Sequence, residues 1–122
     1  MDFLEAGLTA DHFAGCLQQA AAIQDQDLPV TLLPVRNVIK LACQWGAGEK
    51  ADAQGSRRAL LAESAQLSQP GWDFTGTLHY FASSSVFTPG RASWMALFTA
   101  VQNGDGAGTT AALHQLEPIL QQ

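Results

Sequence analysis

The chain has 122 residues and a mass of 13.0 kDa; 47% of its residues are hydrophobic and 14% charged, with eleven acidic against six basic side chains. That length predicts one domain with one core, and disorder is excluded because it pairs few apolar residues with high charge. The formal net charge of −5 argues against nucleic acid, whose binders cluster positive charge. No apolar run approaches the roughly 18 residues of a membrane span.

The opening Met1-Asp2-Phe3-Leu4-Glu5 lacks the basic start of a secretory signal. Residues 1–34 hold Asp2, Glu5, Asp11, Asp25 and Asp27 with no Lys or Arg, whereas acids and bases balance from Val35 onward. This acidic segment favours encounter with a basic partner, or keeps a small protein in solution while capping helices. Ala, Leu and Gln dominate, Val and Ile are scarce, and no stretch alternates with period two, so helices are expected throughout.

The first helix is expected from Thr9 to about Gln24, with Phe13, Leu17 and Ala20 or Ala21 facing inward and Pro29 beyond its end. Pro34 opens a second, whose stripe Val35, Val38, Ile39, Ala42 and Cys43 is the clearest in the chain, with Arg36, Asn37 and Lys40 on the other side. A third covers Ala51 to Leu67, a fourth starts near Trp72-Asp73 and ends at Ser83-Ser84-Ser85, and a fifth runs from Arg91 to Gln102. After a glycine-rich turn, a last helix from about Thr109 places Leu113, Leu116 and Leu120 inside, with Pro118 a kink point. The three tryptophans follow no fixed repeat. The fold class expected is all-α: one domain over residues 1–122, a compact bundle or irregular array of five to six helices.

Cys16 and Cys43 sit among apolar neighbours, and two distant cysteines do not make a disulfide framework. Free buried thiols are expected, with the cytoplasm as the location. His12 and Cys16 stand at i and i+4, but two ligands are not a metal site, so no metal or cofactor is expected. Ser83-Ser84-Ser85 beside His79 is the one arrangement suited to a nucleophilic hydrolase, and it lacks a nucleophile elbow. Gly104-Asp105-Gly106-Ala107-Gly108 lacks the Lys of a phosphate loop and the ligands of a calcium loop. Arg57 and Arg58 point about 100° apart on a helix, so they pair with Asp25, Asp27 or other acids of the N-terminal segment, or one of them meets a partner.

The residues Ala42-Cys43-Gln44-Trp45, Ser56-Arg57-Arg58-Ala59-Leu60, Pro70-Gly71-Trp72 and Tyr80 to Pro89 form a pattern of packing and turn signals. In them the stretch from Ala42 to Gly90 resembles a helical domain of proteobacterial proteins, whose serine turn is glycine-rich where this chain has three serines. The resemblance implies association with type VI secretion gene clusters and an accessory or adaptor role, and carries no catalytic residue.

The function expected is therefore a non-enzymatic, helical protein-interaction module that binds a protein with a basic surface. Asp25, Asp27, Arg57, Arg58 and Trp72 are its candidate contacts, and the aromatics Trp72, Phe81 and Trp94 are expected in the core. The alternatives are an immunity protein that holds a basic toxin through the Asp25–Asp27 loop and a small hydrolase using His79 and the serine turn. Ala-rich helix faces also suit pairing with a second copy.

Overall fold

Strong helix formers punctuated by Gly and Pro give a chain whose regular elements are all helical. In a computed structural model that describes residues 1–122, these are α1 (Asp2–Thr9), α2 (Phe13–Ala22), α3 (Leu33–Gly46), α4 (Lys50–Ser64), α5 (Thr75–Ser83), α6 (Arg91–Asn103) and α7 (Gly106–Leu120). Single 3-10 turns at Asp25–Asp27 and Val30–Leu32 join α2 to α3. The all-α expectation holds, with seven helices in place of five to six. The additional one is α1, held by the buried pair Leu4 and Leu8 one helical turn apart.

Thr9 therefore ends a helix where it was expected to cap one; its hydroxyl donates back to the Glu5 carbonyl at 3.0 Å. Asp11, with φ 61°, turns the chain into α2. The last helix also starts earlier than expected. The Asp105 carboxylate accepts from the Gly108 amide at 2.9 Å, which caps α7 and draws the glycine-rich segment into its first turn. Gly104, at φ 68°, closes α6 in the left-handed conformation that glycine adopts without strain. Pro118 lies inside α7, which continues to Leu120.

Helix α3 is central and packs against α1, α2, α4 and α6. The hairpins α3–α4 and α6–α7 join through α4 and α7, the α1–α2 hairpin covers α3 from the other side, and α5 leans on α6 and α1. One core draws residues from every helix. Its densest part is aromatic: Phe81 lies 4.8 Å from Phe87 and 4.8 Å from Phe98 in edge-on contacts, and Phe87 lies 5.2 Å from Trp94. Phe81 and Trp94 are fully buried, as expected, while Trp72 is half-buried.

Two expectations are corrected here. Arg36 does not lie on a solvent face: it is 6% exposed, and its guanidinium donates to the Ile23 carbonyl at 2.8 Å, to Asn37 Oδ1 at 2.8 Å and to Asp25. Cys16 and Cys43 are not free thiols but form a disulfide between α2 and α3, with their Cα atoms 6.4 Å apart. Packing of α2 on α3 brings the two within bonding reach, which sequence separation could not reveal.

The bond spans a sequence separation of 27 residues. In the chain-entropy account, a loop of that size restricts the unfolded chain enough to stabilise the fold by about 3–4 kcal/mol. The double variant Cys16→Ala/Cys43→Ala is expected to unfold at clearly lower urea concentration. A reductant is expected to move the wild-type midpoint toward that of the variant and to leave the variant unchanged.

Candidate functional site

The two turns of α1 divide its residues by periodicity. Leu4 and Leu8 face the core, Asp2, Glu5 and Thr9 lie along one flank, and Phe3, Gly7 and Ala10 lie along the other. Each flank borders a depression. Between α1 and α5, an open cleft of about 320 Å³ is lined by Asp2, Glu5, Ala6, Thr9, Asp73, Gly76 and Thr77. Between α1 and α2, a groove of about 370 Å³ is lined by Phe3, Ala6, Gly7, Ala10, His12, Gly15, Cys16 and Gln19. Ala6 borders both, so the two form one continuous surface across α1. Close approach at Gly7, where a Cβ would stand 3.1 Å from Cys16 Cβ, seats α1 against α2.

The cleft is acidic, and no Lys or Arg is among its lining residues. Glu5 accepts from the Trp72 indole through one oxygen and from the Thr77 hydroxyl at 2.5 Å through the other. Asp73 accepts from the Thr75 hydroxyl at 2.5 Å and the Thr75 amide at 2.9 Å, bonds that hold its carboxyl below the usual carboxylate range and keep it ionised. The molecule's two ion pairs lie elsewhere: Arg36 with Asp25, and Arg57 with Glu117 at 3.5 Å. The groove beyond Ala6 is mixed in character, with His12 and Gln19 among its small and apolar residues, and it carries Phe3, which is 77% exposed, whereas Phe74, Phe81, Phe87 and Phe98 are all at 0%.

The sequence-predicted contacts are placed apart, and no hydrogen bond or ion pair joins any two of them. Asp25 and Asp27 share one exposed turn, where Asp25 is held by Arg36, which lowers its carboxyl pKa by hydrogen bond and charge. Arg57 is buried at 6% exposure, bonded to Gln54 at 2.9 Å and paired with Glu117 rather than with an acid of the N-terminal segment. Arg58 is exposed on α4. Trp72 lies on the loop before α5 and positions Glu5. His79 forms no hydrogen bond to the serine turn; Ser83 Oγ and the Ser84 amide instead donate to the Tyr80 carbonyl at the end of α5. No three His, Cys, Asp or Glu side chains converge with metal-binding geometry. Asp2 and Glu5 belong to the acidic segment that favours a basic partner, and Asp73 reads only as a helix start; the residues missed from the sequence are Phe3, Ala6 and Gly15. Their signal was the i, i+4 pair Leu4 and Leu8, which marks a helix starting at Asp2.

No family model matches the chain, and neither does any curated protein or solved structure.

Two measurements check this geometry. Tyr80 is the one tyrosine, and burial, followed by its hydrogen bond to Asp11, pushes its hydroxyl up from 10.0 to about 12. Because the folded pKa is the higher one, the associated stability is complete below pH 10 and is lost between pH 10 and about 12. Tyrosinate absorbance is therefore expected to rise with a midpoint near 12 in the native protein, and at lower pH in Asp11→Asn. Gly15 has nothing within 4 Å of where a Cβ would stand, so Gly15→Ala is expected to stabilise α2 by about 0.5–1 kcal/mol in urea unfolding.

Proposed function

We propose that the chain is a non-catalytic protein-interaction module that docks a basic partner on the acidic cleft between α1 and α5. The observation that carries the reading is the condition of Asp2, Glu5 and Asp73: three carboxylates on one cleft, met by neutral donors or by none, in a molecule that spends its ion pairs elsewhere. Neutral hydrogen bonds hold carboxylates in place without cancelling their charge. A lysine or arginine from a partner supplies the opposite charge these carboxylates lack and is steered toward them at low salt.

The cleft supports this reading better than the Asp25–Asp27 turn does, because Asp25 already has its arginine and Asp27 stands alone. An accessory or adaptor role in secretion, implied by the sequence resemblance, suits a docking module of this kind. The bonded cysteines favour an oxidising compartment over the cytoplasm expected for free thiols.

The test is affinity purification from the host with the wild type and with Asp2→Lys/Asp73→Lys as baits, at low and moderate salt. The expected result is a stoichiometric partner with a basic surface, recovered by the wild type at low salt and lost from the variant. The same partner retained by the variant, or no partner on either bait, overturns the reading. The partner's identity then separates an adaptor from an immunity protein.

A further inference from the structure

Resting on the acidic cleft as the docking face, the geometry points to a specific partner element: an amphipathic helix laid across α1, with an apolar side chain in the α1–α2 groove and a Lys or Arg in the α1–α5 cleft. The two depressions lie on opposite flanks of one helix and meet at Ala6, so whatever fills both must cross α1. An α-helix is about 10 Å wide, and a crossing helix rises about 1.5 Å per residue. Anchor and cation are therefore about seven residues apart, two turns, on one face of the partner helix.

The surface of α1 suits such a crossing. Ala6 and Ala10 are exposed and small, so a second helix axis can approach to about 8 Å. Each depression also contains a helical glycine with open space above it, Gly15 in the groove and Gly76 in the cleft, since no atom lies within 4 Å of a Cβ at either. Phe3, 77% exposed at the edge of the groove, supplies an aromatic wall for the anchor. Charge decides against a second copy as occupant. A second copy that laid its own α1 and α2 across this face would bring no cation to the carboxylates, because residues 1–34 hold no Lys or Arg.

The probe is a fluorescein-labelled helical peptide of Leu and Lys carrying a leucine and a lysine seven residues apart on one face, titrated into the full chain by fluorescence anisotropy. Two comparison peptides replace its leucines with Ser or its lysines with Glu. Gly15→Leu adds a side chain in the groove at a position where a Cβ meets no atom within 4 Å, and its folding is checked by urea unfolding. The parent peptide is expected to bind, and to weaken by about tenfold or more with Gly15→Leu, with Phe3→Ser and with Asp2→Lys/Asp73→Lys. Asp52→Lys, an exposed charge change on α4, is expected to shift affinity less than about twofold.

Equal binding of the Ser peptide, or full affinity in folded Gly15→Leu, overturns the helix-across-α1 geometry and leaves the acidic cleft as the docking face. Failure of every cationic peptide overturns both. Concentration-dependent dimerisation abolished by Phe3→Ser assigns the groove to a second copy and overturns this inference.

Discussion

Burial of α3 on nearly every side is the constraint on which the rest of the structure depends. Pro34, Val35, Arg36, Val38, Ile39, Leu41, Ala42, Cys43 and Gln44 are all buried, so neighbours must cover it from several directions. A helix so enclosed has to satisfy its polar side chains internally, because an unpaired buried guanidinium is costly. Arg36 does so by reaching back to the Ile23 carbonyl and to Asp25, which fixes the path of the chain leaving α2. Asn37 accepts from Arg36 and donates to Glu63 at 2.7 Å, extending the network to α4, while Gln44 accepts from Ser56 at 2.6 Å. The Cys16–Cys43 bond adds a covalent tie between the same central helix and α2.

The character of α1 follows from that demand. Covering the remaining side of α3 takes only Leu4 and Leu8, and a helix of 8 residues is marginal without its packing. Glu5 reinforces it by accepting from Trp72 and Thr77, two groups of the α5 region. That residue therefore serves both attachment and charge, whereas Asp2 and Asp73 bear charge without holding α1 to its neighbours. Packed on α2, α3 and α5, α1 still leaves a depression along each flank, and these are the cleft and the groove.

Much of the fold was legible in the sequence because its signals are local. The stripe Val35, Val38, Ile39, Ala42 and Cys43, the opening Pro34 and the break at Pro70-Gly71 define their elements within a few residues. The features that were not legible are tertiary. Arg36 reads as a surface residue until Asp25 and the Ile23 carbonyl are brought to it, and Cys16 reads as a free thiol until α2 lies on α3. The site was hidden for a related reason. A short helix offers only Leu4 and Leu8 as a periodic signal, and Asp73 joins Asp2 and Glu5 only through the packing of α5 on α1.

On the proposed docking reading, that convergence is what distinguishes the cleft from acidic residues that merely keep a protein in solution. Dispersed charge serves solubility equally well, yet Asp73 lines the same cleft as Asp2 and Glu5, and its Thr75 hydrogen bonds favour the ionised form. Helical glycines sharpen the same distinction. Gly15, Gly55 and Gly76 all stand in open space, and each weakens its helix relative to alanine. Gly55, on α4, shows that openness alone marks nothing. Gly15 and Gly76 differ because they lie in two depressions separated by one small residue, where an absent side chain lets another backbone come close.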